Sequence, residues 1–97
     1  MQFTWDERKN RANQRKHGIS FETAVLVFDD PYHLSTQDRD VEGELRWQTV
    51  GMVLGKPILL VAHTLSESVN EGDEEVIRII SARKATPQER SIYAQGI

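Results

Sequence analysis

The apolar spacing changes period at Asp29-Asp30-Pro31, and that change confines the chain to a mixed fold. Upstream, Phe21, Ala24, Val25 and Phe28 fall at i, i+3, i+4 and i+7, the spacing of one helix face. Downstream, β-branched and aromatic residues come in short runs divided by turn residues, the pattern of strands. Pro31 closes the first regime because proline disfavours helical geometry in the residue before it.

Local signals place the elements. A first helix starts at Asp6, whose carboxylate can cap orphan backbone N–H groups, and runs to about Lys16 before Gly18 supplies a left-handed C′ residue. It is mostly polar: Arg8, Arg11 and Arg15 share one stripe, and Lys9, Asn13 and Lys16 another. Phe3 and Trp5, on a short strand before it, are the expected anchors. Ser20 caps a second helix, with Ile19 placed to staple against Ala24. Strands are expected at Tyr32–Gln37, Leu45–Leu54, Ile58–Leu65 and Glu75–Ala82. Acidic loops cover Asp38–Gly43 and Ser66–Glu74, and Gly55-Lys56-Pro57 makes a hairpin turn. In the last strand, Ile77 and Ile79 share one face, and Val76 and Ile80 the other. Thr86, Pro87 and Glu89 form the capping box of a short final helix. The expected fold is α+β, with two N-terminal helices, an antiparallel meander and a short C-terminal helix, all helices on one side of the sheet.

The 97 residues carry no repeat or linker, so one domain over 1–97 is expected. Without cysteine there is no disulfide and no thiolate metal site, which fits a reducing cytoplasm. The longest apolar run, Ile58–Ala62, is far too short to cross a bilayer, and Met1–Asp6 lacks the apolar core of a signal peptide. A soluble cytoplasmic protein without membrane contact is expected. The net charge is −3, but it is segregated: residues 1–17 carry +3, residues 22–75 carry −9, and residues 78–90 carry +3. Two basic ends form one basic surface if the fold brings them together; otherwise they are simply solvated faces.

The chemistry-bearing residues cluster in those ends. Arg78-Ile79-Ile80-Ser81-Ala82-Arg83-Lys84-Ala85 is an apolar strand laced with guanidinium groups, whose planar forks bind two phosphate oxygens at once. Arg78 and Arg83 are five apart, so regular alternation sends them to opposite faces, whereas Ser81 and Arg83 share one. Lys16-His17-Gly18 puts a cation and an imidazole at a helix C-terminus, where the dipole favours positive charge; the imidazole serves either proton transfer or simple capping. Glu44 and Arg46 are two apart entering a strand and face the same way, either as an oriented proton acceptor or as a surface ion pair. His17, His33 and His63 are too widely spaced for a local metal motif, and no metal or cofactor is expected. Phosphate-binding glycine loops and a Gly-x-Ser-x-Gly nucleophile are absent from the sequence.

Together these stretches resemble the BrnT family, toxins of bacterial type II toxin–antitoxin modules with a RelE-like fold. The resemblance is carried by Phe3-x-Trp5-Asp6 with Lys9 and Asn13, and by Lys16-His17-Gly18-Ile19-Ser20-Phe21-Glu22 with Ala24 and Phe28. It continues through Glu44-x-Arg46 with Gly51, the Leu59–Val61 strand, Arg78–Ala85, and Glu89-Arg90 with Tyr93. It implies a metal-independent endoribonuclease that cuts RNA by attack of a ribose 2′-hydroxyl on the adjacent phosphate, inhibiting translation. A BrnA-like ribbon-helix-helix antitoxin that binds operator DNA is the implied partner. Carried over residue by residue, it marks Lys16, His17, Glu44, Arg46, Arg78, Arg83 and Tyr93 as catalytic candidates. Arg46, Arg78, Ser81 and Arg83 are the phosphate-binding set, Glu44 or His17 the proton acceptor, and Tyr93 a substrate-positioning residue or proton donor. The competing expectation is a non-catalytic module that grips operator DNA within an antitoxin complex.

Overall fold

The computed structural model describes residues 1–67 and 75–96. Five strands form one sheet in the order β1-β5-β4-β3-β2, with β1 at Gln2–Thr4, β2 at Leu34–Val41, β3 at Glu44–Gly51, β4 at Leu59–Glu67 and β5 at Glu75–Lys84. From β2 to β5 the pairing is the expected antiparallel meander. β1 joins the outer edge of β5 in parallel, so the sheet is mixed rather than wholly antiparallel. The expected acidic loop at Asp38–Gly43 contracts to a two-residue turn at Glu42-Gly43, both at positive φ (53° and 81°), which suits the twist of a hairpin. Ser66 and Glu67 pair with β5, and the rest of the Ser66–Glu74 loop lies outside the described residues.

Helix α1 spans Glu7–His17, with the Asp6 carboxylate accepting from the Arg8 amide and Gly18 in the left-handed region at φ 71°. The second expected helix is a correction. Only Phe21–Ala24 (α2) is α-helical, and the chain then tightens into a 3₁₀ helix over Val25–Asp29. The burial follows the tighter period: Phe21, Ala24 and Val27, three apart, are all 0% exposed, while Val25 and Phe28 are only partly buried. Helix α3 spans Pro87–Gln95, and its Thr86–Glu89 capping box is present.

The helices do not share one side. α2 and the 3₁₀ helix pack on the face carrying Leu59, Val61, Ile77, Ile79 and Ala82. α3 lies on the opposite face, where Tyr93 packs near Val50, Leu60 and Ala85. The side chain of Arg83, on that second face, pairs with Glu89 and fixes the side to which α3 turns. Between the 3₁₀ helix and β3 there is no spare room: a Cβ on Gly51 would stand 2.7 Å from Val27 Cγ1.

α1 has no apolar stripe because it is attached through amides. Its only buried residues are Asn10 and Asn13. Asn10 accepts from the Phe21 amide at 2.8 Å and donates to Glu7 and Glu22 at 3.1 and 2.8 Å. Asn13 donates to the Ala82 carbonyl at 2.8 Å and accepts from the Ala82 amide at 3.1 Å. Its second N–H bonds the Ile19 carbonyl at 2.8 Å. β1 pairs only with Val76–Arg78, so further along this edge of β5 the Asn13 carboxamide stands in for the missing strand at Ala82.

Candidate active site

One extra residue in β5 decides which side chains can meet. Ser81 pairs with Ala62, but Ile79 pairs with the next residue, His63, leaving Ile80 as a bulge. The bulge cancels the alternation expected from a five-residue separation. Arg78, opposite Thr64, and Arg83, opposite Leu60, therefore lie on the same sheet face, together with Ser81. This corrects the expectation that parity separates the two arginines.

Cross-strand register extends that face. Arg46 pairs with Thr64, which pairs with Arg78, which pairs with Thr4 in β1. The two arginines thus stand two strand spacings apart, about 10 Å, with only Thr64 between them. Glu44, two residues before Arg46, forms an ion pair with Arg78. Thr4, Glu44, Thr64, Ser66 and Arg78 line an open pocket of about 470 Å³. The Arg46 Nε is buried and has no hydrogen-bond partner, so its guanidinium retains donor capacity. Two guanidinium groups beside a carboxylate can hold a phosphate and accept a proton next to it.

The next residues along the face are committed differently. Arg83 clamps Glu89 with two parallel bonds of 2.8 and 3.0 Å, and also donates to the Lys84 carbonyl at 3.1 Å. Hydrogen bonding from Arg83 holds the Glu89 carboxyl down at about 2. The Tyr93 hydroxyl donates to Asp30 at 2.5 Å, and that bond, with burial and the Asp30 charge, pushes Tyr93 up to about 12. Asp30 also accepts from the Met52 and Tyr32 amides at 2.8 and 2.9 Å. Burial opposes ionisation of Asp30, but the Tyr93 hydroxyl, these amides and His33 outweigh it and keep the carboxyl below its usual range. Both Arg83 and Tyr93 therefore hold α3 against the sheet.

Lys16 and His17 do not join this group. His17 lines a different pocket with Lys56, Pro57 and Lys84 at the far end of β5. Lys84 and Arg78 are separated by most of the strand, roughly 17–20 Å, so His17 and Glu44 do not face one phosphate. Sequence reasoning missed Asp30, the partner of Tyr93, whose only local sign is its place before Pro31. It also missed Asn10 in α1. Two asparagines three apart on a helix without an apolar stripe were the available signal that this polar face is the buried one.

Two comparisons bear on this arrangement. The family model described as "Ribonuclease toxin, BrnT, of type II toxin-antitoxin system" matches residues 5–89. No curated protein matches the chain. The fold is similar to the crystal structure of the Brucella abortus ribonuclease toxin, BrnT, with a TM-score of 0.58 and 24% sequence identity. That likeness covers 89% of this chain and 97% of the Brucella chain.

Proposed function

The chain belongs to the BrnT family of ribonuclease toxins of type II toxin–antitoxin systems, and on that premise we propose a metal-independent endoribonuclease that cleaves RNA and thereby inhibits translation. The observation that carries the proposal is the Arg46–Thr64–Arg78 row with Glu44 paired to Arg78 on an open sheet face. In this reading Arg46 and Arg78 grip the scissile phosphate and neutralise charge as the ribose 2′-oxygen forms its bond to phosphorus. Glu44 accepts the 2′-hydroxyl proton as that bond forms, and the departing 5′-oxygen takes a proton from solvent as its bond to phosphorus breaks. Thr64 and Ser81 supply hydroxyls along the same face. Arg83 and Tyr93 act as positioning residues through α3. We take the fold to be RelE-like and the inhibitory partner to be a BrnA-like ribbon-helix-helix antitoxin.

The test uses purified protein and RNA in the presence of EDTA. Wild type cleaves, Arg46→Ala and Arg78→Ala lose at least about a hundredfold in kcat while remaining folded by circular dichroism, and Glu44→Gln loses kcat with little change in KM. RNA left intact both free and on ribosomes, together with normal growth when the gene is induced without its partner, overturns the proposal in favour of a non-catalytic binding module.

A further inference from the structure

A second basic pocket lies at the other end of β5. Its walls bring together His17 from the end of α1, Lys56 from the β3–β4 turn and Lys84 from the end of β5, in an open space of about 270 Å³. Among the described residues, no Asp or Glu lines it. None of the three side chains has a hydrogen-bond or ion-pair partner among the described residues. Arg78 and Arg83 differ in this respect, since each is neutralised by a carboxylate. Two ammonium groups gathered from separate elements without a counter-charge repel one another, and an anion between them removes that cost.

Thr23 adds a directional donor to the same pocket. Its Oγ1 accepts from the Ser20 hydroxyl at 3.1 Å, which leaves the Thr23 hydroxyl hydrogen for another acceptor. The pocket thus offers two ammonium groups, an imidazole and a hydroxyl, all suited to anionic oxygens. Its uncountered charge suits a phosphodiester group, and its open volume leaves room for the adjoining sugar.

We propose that this pocket binds a backbone phosphate of the RNA substrate, several nucleotides from the bond that is cut. The proposal rests on the ribonuclease reading and adds a distal subsite to it. Lys56, Lys84, His17 and Thr23 hold the strand there. Arg46 and Arg78 act on the scissile group on the opposite sheet face, roughly 17–20 Å back along β5, so the RNA passes round the end of the sheet between them. RNA long enough to reach both places gains affinity from the pocket, and a dinucleotide gains none.

The test compares wild type with the Lys56→Gln/Lys84→Gln double variant, whose changes lie at exposed positions. Binding of a fully 2′-O-methylated, uncleavable 20-nucleotide RNA is followed by fluorescence anisotropy across a KCl series. The variant is expected to bind about tenfold more weakly, with a salt slope smaller by about 0.7 for each phosphate it no longer neutralises. Its KM for a cleavable 20-nucleotide RNA rises by a similar factor with kcat unchanged, and its kcat/KM on a dinucleotide equals that of wild type. Equal affinity and salt slope in the two proteins, with wild type cleaving normally, overturns the subsite and leaves the ribonuclease reading standing. Loss of duplex DNA affinity alone assigns the pocket to DNA and also overturns it. Wild type that neither binds nor cleaves RNA removes both proposals.

Discussion

The Arg83 guanidinium and the Glu89 carboxylate meet in parallel, Nη1 2.8 Å from Oε1 and Nη2 3.0 Å from Oε2. Glu89 also receives the Thr86 amide at 2.8 Å, so one carboxylate ties the strand end, the helix cap and the first turn of α3 together.

Glu89→Gln is expected to cost about 1–2 kcal/mol at pH 7, the range for a charge-assisted, partly solvated pair. The folded carboxyl sits at about 2, against 4.5 for the free group. Its contribution is therefore complete above pH 4.5 and is lost as pH falls through 2. Urea midpoints of wild type and Glu89→Gln across the range from neutral pH down towards pH 2 check this, and their difference shrinks towards the acid end.

Tyr93→Phe removes the hydroxyl that Asp30 accepts and is expected to cost about 1–3 kcal/mol at neutral pH. The Tyr93 hydroxyl is raised from 10 to about 12, so its contribution is complete below pH 10 and is lost as pH rises through 12. Thermal unfolding followed from mildly alkaline pH up to 12 shows the gap between the two proteins closing. Because Tyr93 acts through α3, Tyr93→Phe is expected to keep RNA cleavage within a few-fold of wild type, with an unchanged pH–rate profile.

Asn13→Leu keeps the branched side-chain shape, at a larger volume, but leaves the Ala82 amide and carbonyl and the Ile19 carbonyl without their partner. Stranding these buried groups is expected to cost about 2–4 kcal/mol, read as a lower urea midpoint. Hydrogen exchange at the Ala82 amide accelerates by more than at the Ile79 amide, since only Ala82 bonds to Asn13.

How much of this was legible in the sequence depends on how far each signal reaches. Asp6, Gly18, Ser20 and the Thr86–Glu89 box act within one helical turn, and each lies where a single window could find it. The meander was readable for the same reason, from short apolar runs and their turns. The bulge was not, because one extra residue at Ile80 changes neither composition nor turn content. Asn13 meets Ala82 across 69 positions of chain, and the position of α3 follows from Arg83 meeting Glu89 after folding. The candidate site splits on the same line: Glu44 and Arg46 are neighbours by strand spacing, but their link to Arg78 depends on β4 lying between them.

His63 gives a prediction in the acid range. It is buried, with Nδ1 3.2 Å from the Thr64 carbonyl and Nε2 2.7 Å from Thr49 Oγ1. The carbonyl can only accept, so Nδ1 carries the proton and Nε2 accepts from Thr49, which in turn accepts from Ser35 at 2.7 Å. Burial lowers the His63 pKa below its ordinary 6.5. The native state resists protonation that the unfolded chain accepts, so stability is complete above pH 6.5 and declines as pH falls below it. Wild type is expected to lose more stability between about pH 7 and about pH 5 than His63→Gln, measured by urea unfolding.

The bulge at Ile80 also gives β5 a fixed phase. Deleting that one residue would restore simple alternation and turn half of the strand over. Either Ile77 and Ile79 would leave the core with Arg78 taking their place inside, or Ala82 would leave it with Arg83 turned inward. The chain can therefore tolerate a change of side chain at Ile80 far more readily than a change of length there. Relatives that keep this architecture should vary in the identity of that residue while preserving the count between Arg78 and Arg83.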